Sequence, residues 1–146
     1  MDDTERGRAT DGVGDATTVR EGDPDELVAV MRVFDAGLLE ADAGEVRDRL
    51  AAGDCLVAEA SGRVVGALAL DGDYIDAVAA SPSRRGRGVG TRLVRAALDR
   101  RGRLVADFDE GVRPFYEALG FDIEERDGGD GRGDGERRFR GVLRDE

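Results

Sequence analysis

The sequence feature that most constrains the fold is a strand-like apolar run, Tyr74–Ala80, that leads through a basic, glycine-rich turn into a helical pattern. Three arginines and three alternating glycines mark the turn: Arg84, Arg85, Arg87, Gly86, Gly88 and Gly90. Glycines lack a Cβ atom, so successive backbone N–H groups can approach a ligand closely, and a helix that begins near Gly88 adds unpaired N–H groups and the positive end of its dipole. Arginine adds planar, permanently charged donors suited to phosphate oxygens. The segment therefore predicts a binding site for a phosphate or pyrophosphate.

Further strand-like and helical patterns surround this segment. Two sequences of capping-box type, Asp23–Glu26 and Asp42–Glu45, each predict the start of a helix, and the second helix should end at Gly53. The other predicted elements are strands at 17–20, 55–60, 63–70, 74–80, 104–108, 121–124 and 138–143, and helices at 88–101 and 114–119. Their order, β, α, α, β, β, β, α, β, α, β, β, predicts an α/β domain with a mixed sheet and a right-handed parallel crossover.

A single domain is expected at residues 16–146, because the chain is long enough for one substantial core and too short for two. Residues 1–15 mix Asp, Gly, Thr and Arg without apolar periodicity, so we expect a disordered tail. The Gly- and Asp-rich stretch from Arg126 to Glu136 should be a mobile loop. No apolar run approaches the ~20 residues of a membrane span and no signal-peptide pattern is present, which predicts a soluble, cytoplasmic protein.

Composition excludes several kinds of chemistry. Cys55 is the only cysteine and the chain has no histidine, so an intramolecular disulfide, a Cys/His metal cluster and a histidine-based triad cannot form. No spacing suggests a carboxylate metal site either, and we expect none. Cys55 is best interpreted as a small strand hydrophobe, since no histidine can activate it.

The charge balance is strongly acidic. The chain has 33 acidic and 22 basic residues, a formal charge of −11, and every basic residue is arginine. A high negative surface charge keeps proteins soluble in salt-loaded cytoplasm, where the self-repulsion is screened over about 3 Å at 1 M salt. A halophilic source is therefore expected, although coding bias could also replace lysine with arginine, and an ordinary acidic protein is the alternative. Net acidity argues against nucleic acid as a partner.

Two motifs carry a resemblance to a known family. Arg85–Gly90 matches the Arg/Gln-x-x-Gly-x-Gly/Ala signature of the GNAT N-acetyltransferases, and Val78–Pro82 resembles the end of that family's fourth strand. Phe115–Phe121 is similar to a second family motif at the expected distance. The resemblance implies a mixed, mostly antiparallel sheet of six to seven strands flanked by about four helices. It also implies transfer of the acetyl group of acetyl-CoA to a primary amine by direct attack in a ternary complex.

The resemblance assigns roles to individual residues. The cofactor-binding residues that it implies are Val78, Ala79, Ala80, Arg85, Gly86, Arg87, Gly88, Val89, Gly90 and Thr91. The Val78 amide corresponds to the donor that faces the thioester oxygen, and Ala80 to a pantetheine contact. Tyr116 corresponds to the tyrosine that protonates the departing thiolate. Adjacent helical residues point about 100° apart, so Phe115 and Leu119 can face the core while Tyr116 faces the cleft.

The base that deprotonates the acceptor amine must be a carboxylate, a tyrosinate or water, because histidine is absent. Asp76 is the candidate, since period-two alternation places it on one strand face with Tyr74 and Val78. An exposed, solvating aspartate is the alternative. Family members commonly carry Asn where Asp109 stands, which puts a cofactor contact there in doubt.

Two other functions compete with acetyl transfer. A Rossmann-like dinucleotide site would use Gly86, Gly88 and the acid Asp107, but Thr91 stands where the third glycine belongs and no second mononucleotide-binding half exists. A non-catalytic module could bind a polyanion such as RNA through the arginines from 84 to 103, but interleaved aromatic residues are missing. The acceptor amine and the oligomeric state, a homodimer included, stay open.

Overall fold

A computed structural model describes residues 17–37, 39, 41–85, 87–126 and 138–145. The predicted tail at 1–15 lies outside these residues, as do Gly86 and all of the predicted loop except Arg126. No helix in the described ranges is long and apolar enough to cross a membrane.

The described strands form one seven-stranded sheet. They are β1 Thr18–Glu21, β2 Cys55–Ala60, β3 Arg63–Asp71, β4 Tyr74–Ala80, β5 Arg103–Asp109, β6 Asp122–Arg126 and β7 Arg138–Arg144. The order across the sheet is β1-β2-β3-β4-β5-β7-β6, and only β4 and β5 pair in parallel among the described strands. The predicted α/β class with a mixed, mostly antiparallel sheet is confirmed. The antiparallel pairs also contradict a doubly wound dinucleotide fold, whose sheet is mostly parallel.

Within the described ranges four α-helices flank the sheet: α1 Leu27–Ala36, α2 Ala43–Ala52, α3 Val89–Arg101 and α4 Arg113–Leu119. A 3₁₀ turn at Pro24–Glu26 leads into α1, where the predicted capping box is confirmed because Asp23 N donates to Glu26 Oε1 at 2.8 Å and Asp25 N to Asp23 Oδ1 at 2.9 Å. The capping box predicted at Asp42 is wrong. Asp42 caps α2 by position, without a side-chain hydrogen bond, and the helix begins with Val46 N donating to the Asp42 carbonyl at 3.0 Å.

Two apolar layers cover the two faces of the sheet. On one, which we call the α3 face, α3 and α4 pack on strand residues such as Leu68, Leu104 and Phe139. On the other, the α1 face, α1 and α2 pack on Val57 and Ala67. Alternate residues of each strand supply the two layers, as strand geometry requires. Cys55 lies in the α1-face layer, where burial raises the pKa of its thiol to about 12, in keeping with a structural role.

Candidate active site

The strands β4 and β5 separate soon after they meet. Their pairing is confined to Tyr74 opposite Val105, beside a hydrogen bond from Val105 N to the Asp73 carbonyl at 2.8 Å. Beyond this point a cavity of about 720 Å³, here called the β4–β5 cleft, opens between the strands. It is lined by both strands, the first turn of α3 and the start of α4. Its lining combines residues of the α3-face layer, such as Val78 and Tyr116, with residues of the α1-face layer, such as Ala77 and Ala79.

A bulge in β4 sets the orientation of Asp76. In the register with β3, Leu70 pairs with Ile75 and Ala69 with Ala77, which leaves Asp76 as the extra residue. Ile75 and Val78 consequently belong to the α3-face layer, whereas Ala77 belongs to the α1-face layer. The prediction that Asp76 shares a face with Val78 is wrong, because the inserted residue interrupts the period of two.

Asp76 lies on the α1 face and forms an ion pair with α2. Arg49 donates to Asp76 Oδ2 through Nη2 at 2.5 Å and through Nε at 3.1 Å. The Asp76 side chain is 38% exposed and also lines the β4–β5 cleft. It stands at the mouth of the cleft, opposite the face that carries α3.

The end of β4 directs backbone groups into the cleft. Ser81 N donates to the Val65 carbonyl of β3 at 2.8 Å, so the amides of Ser81 and Ala79 point towards β3. Strand alternation then points the amides of Val78 and Ala80 the other way, towards the opening. These two residues are the ones for which the sequence predicts backbone contacts to the thioester and the pantetheine arm.

The first turn of α3 faces the same cleft. Gly88 is its N-cap residue with φ +82°, a left-handed conformation that favours glycine, and no side chain caps the helix. The first intrahelical bond runs from Arg92 N to the Gly88 carbonyl at 3.0 Å, so the preceding amides of Val89, Gly90 and Thr91 have no partner within the helix. Backbone amides in this arrangement are able to donate to an anion.

Gly90 has a packing role that sequence reasoning missed. A Cβ atom there would lie 3.2 Å from two ring atoms of Phe115, so the absent side chain lets α4 pack tightly on α3. The sequence predicted that Gly90 serves only the close approach of a phosphate. Glycine is therefore favoured at position 88 by the backbone conformation and at position 90 by the space that the Phe115 ring occupies.

The three arginines that surround the turn differ in their positions relative to the cleft. Arg85 lines the cleft, but its Nη2 donates to the Ala36 carbonyl at the end of α1, at 2.8 Å. Arg84 also lines the cleft, whereas Arg87 is exposed and is not part of the lining. Arginine side chains are long, and each satisfies whichever acceptor the fold brings near. Local sequence cannot show which acceptor that is.

Tyr116 is buried and still reaches the cleft. Its side chain is 6% exposed, and its ring centroid lies 4.3 Å from that of Phe108 and 5.1 Å from that of Phe121. Burial raises the pKa of the phenol to about 12, so the hydroxyl keeps its proton at neutral pH. No hydrogen bond to this hydroxyl occurs among the described residues. Tyr116 therefore faces the cleft as predicted, but Phe115 also lines it and is the less buried of the two.

A polar network on the α1 face was not predicted. Asp107 accepts hydrogen bonds from the Tyr74 hydroxyl, from Arg140 Nε at 2.9 Å and from Arg126 Nη1 at 2.8 Å. Burial alone would raise the pKa of Asp107, but the hydrogen bonds from Arg140 and Tyr74 and the two positive charges outweigh it and hold the pKa below its usual value. Sequence reasoning considered Asp107 only as a strand-end acid that a Rossmann-like dinucleotide site would use. Its partners come from three other strands.

Asp109 has a local structural role. Its Oδ1 accepts from Gly111 N at 2.9 Å and so caps a 3₁₀ turn at Glu110–Val112. The residue also lines the cleft. No group of three or more metal-ligating side chains occurs among the described residues.

A mostly antiparallel sheet whose parallel pair splays beside an uncapped helix N-terminus defines the class of GNAT-type acetyltransferases. The family model described as "Acetyltransferase (GNAT) domain" matches residues 51–123, half of the chain. The chain belongs to this family and is an acetyltransferase.

Solved structures agree with the fold. A GNAT-family acetyltransferase from Bacillus cereus superposes with a TM-score of 0.76 at 15% identity, over 90% of this chain and 99% of the other. YncA from Salmonella typhimurium, a putative acetyltransferase solved with its cofactor acetyl-CoA, superposes with a TM-score of 0.71 at 18% identity, over 90% of this chain and 95% of the other. YjaB from Escherichia coli, solved in its apo form, superposes with a TM-score of 0.60 at 25% identity, over 87% of this chain and 97% of the other. Comparison with curated protein sequences gave no match.

Proposed function

We propose that this protein transfers the acetyl group of acetyl-CoA to a primary amine by direct attack within a ternary complex. The observation that carries the proposal is the β4–β5 cleft, which joins outward-facing amides of β4 to the uncapped first turn of α3. YncA, which shares the fold, contains acetyl-CoA. Amides in line with a helix N-terminus suit a ligand that has a polar arm and a pyrophosphate.

The cofactor contacts follow the cleft. The β4 segment Val78–Ala80 receives the pantetheine arm, and Gly88–Thr91 binds the pyrophosphate through backbone amides. Arg85 adds charge once it leaves the Ala36 carbonyl. Gly86, outside the described residues, and the exposed Arg87 are proposed to contact the cofactor at the rim.

The chemistry requires an oxyanion donor and an acid. The acceptor nitrogen attacks the thioester carbon, and the Val78 N–H donates to the oxygen that gains negative charge, an interaction worth about 3 kcal/mol in comparable sites. The C–N bond forms and the C–S bond breaks. Tyr116 gives its hydroxyl proton to the departing sulfur, and the hydroxyl is available for this step because no other acceptor binds it among the described residues.

Asp76 is the proposed base. Asp107 also lines the cleft, but three donors occupy its carboxylate and its lowered pKa weakens it as a proton acceptor. Among the residues that the structure describes, Asp76 has one arginine partner in hydrogen-bonding range, and its side chain is the more exposed of the two. Its position on the α1 face lets an amine approach from the side opposite α3.

Calorimetry with acetyl-CoA and with NAD tests the proposal, followed by thiol release with a panel of primary amines. Binding of acetyl-CoA, no binding of NAD and amine-dependent thiol release are expected. Binding of NAD without a response to acetyl-CoA would contradict the proposal.

A further inference from the structure

We propose that Arg138 binds the carboxylate of the acceptor, so that the acceptor is a small amino carboxylate such as an α-amino acid. This inference rests on the proposed acetyl transfer and specifies its substrate class. It starts from the position of Arg138 at the first residue of β7, where its side chain lines the β4–β5 cleft.

Arg138 lies on the acceptor side of the sheet. Its neighbour Phe139 is buried in the α3-face layer, so strand alternation places Arg138 on the α1 face. The amides of α3 that suit the pyrophosphate begin on the α3 face. Arg138 and the proposed pyrophosphate site thus line the same cleft from opposite faces of the sheet, which favours a contact of Arg138 with the acceptor over one with the pyrophosphate.

The guanidinium of Arg138 has no hydrogen bond or ion pair within the described part of the chain. Its register partner on β5, Asp109, uses Oδ1 to cap the Glu110–Val112 turn. The nearby Asp107 is occupied by Arg126 and Arg140. A half-buried guanidinium offers five N–H donors in a planar fork, a geometry that matches a carboxylate.

The cross-strand neighbour of Arg138 on β6 is another arginine. Arg126 pairs directly with Arg138 in the register, and like charges placed opposite each other destabilise a sheet. Asp107 neutralises Arg126, whereas Asp109, which faces Arg138 across β5, forms no ion pair with it in the described structure. An anion bound in the cleft beside Arg138 would remove this imbalance.

The cleft mouth on the α1 face also offers a site for an ammonium group. Asp76 lies on β4 and Arg138 on β7, on opposite sides of the opening. A carboxylate on one side and a guanidinium on the other complement the two charges of an amino acid. A zwitterion has no net charge, so the formal −11 of the protein does not repel it at long range.

The test compares acceptors that share an amine and differ in the carboxylate. Glycine, L-leucine and L-phenylalanine are assayed against their carboxamides over a pH series, because amidation also lowers the basicity of the amine. We expect kcat/KM for the amino acids to exceed that for the amides by roughly 10- to 100-fold, the range of a charged hydrogen bond. Arg138→Gln should remove this preference by raising KM for the amino acids, with unchanged acetyl-CoA affinity. Arg138→Lys should keep part of it.

Arg144→Gln is the matched control, since Arg144 lies on the same strand and face but outside the cleft lining. This control variant should leave kcat/KM unchanged both for the amino acids and for their carboxamides. Equal turnover of acids and amides by the wild type, or an equal loss for both in Arg138→Gln, overturns the inference and leaves acetyl transfer standing. Failure to bind acetyl-CoA overturns the proposed function, and this inference with it.

Discussion

The Tyr74 hydroxyl donates a hydrogen bond to the Asp107 carboxylate beside the position where β4 and β5 last pair. Arg140 donates to both groups, to the Tyr74 oxygen at 2.9 Å and to Asp107 Oδ1 at the same distance. The network fastens β4, β5 and β7 at the point where the cleft begins. It therefore fixes the origin of the splay that exposes the β4 amides.

Asp107→Asn should weaken the fold and change its response to acid. The folded-state pKa of Asp107 is lowered from the ordinary 3.8, so its contribution is fully present above that value and is lost as the pH falls through the lowered pKa. Urea unfolding of the wild type and the variant at neutral pH and near pH 3 measures the difference. The free energies of unfolding of the two proteins should become similar in acid. A difference in free energy of unfolding that is larger near pH 3 than at neutral pH would contradict the prediction. Asp122→Asn, exposed on β6, is the control.

Gly88→Val should abolish acetyl-CoA binding. The residue has φ +82° at the first turn of α3, and a branched side chain there is strained by about 1–2 kcal/mol and obstructs the amides. Gly102→Val is the control, because Gly102 caps the other end of α3 at φ +77° with open space around it. Both variants should lose similar stability in a melting experiment. If calorimetry gave the Gly88→Val and Gly102→Val variants equal affinities for acetyl-CoA, a cofactor role for Gly88 would be contradicted.

Tyr116→Phe should lower kcat by roughly 10- to 1000-fold with little change in acetyl-CoA affinity, because the hydroxyl is needed as the thiolate departs. The melting temperature should barely move, since the ring contacts remain and the hydroxyl has no hydrogen-bond partner among the described residues. Steady-state kinetics and calorimetry together check both parts. Unchanged turnover would leave Tyr116 a core residue.

Asp76→Asn should depress the rate mainly at lower pH, where the amine arrives protonated and needs a base. Asp71→Asn is the control: Asp71 lies 4.0 Å from the same Arg49 but does not line the cleft. The pH dependence of kcat/KM, measured for both variants and the wild type, distinguishes Asp76→Asn from Asp71→Asn. An identical profile for Asp76→Asn and the wild type would remove Asp76 from the mechanism.

Salt should raise both the melting temperature and kcat/KM between about 0.1 M and 2 M potassium chloride. The electrostatic screening length falls from about 10 Å at 0.1 M salt to about 3 Å at 1 M. Salt therefore removes the long-range repulsion between a protein of formal charge −11 and a polyanionic cofactor before it weakens the close contacts of the cleft. One salt series of melting temperature, acetyl-CoA Kd and kcat/KM tests this. A steady fall in stability and affinity would contradict a halophilic adaptation but not acetyl transfer.

Local sequence determined the order and type of the elements and the backbone of the anion site. The Asp23–Glu26 capping box and the glycine-rich turn before α3 depend on residues a few positions apart, and such short-range preferences are legible in a pattern. Strand boundaries moved by only one or two residues, for example to Thr18–Glu21 for β1.

Tertiary structure decided which side chains meet at the cleft. The bulge at Asp76 depends on the register with β3, and one extra residue moves a side chain to the other face of the sheet. The Tyr74, Asp107 and Arg140 side chains are 33 and 66 residues apart in sequence and meet only because β5 lies between β4 and β7. Strand order and register are set by burial over the whole sheet, so no local pattern contains them.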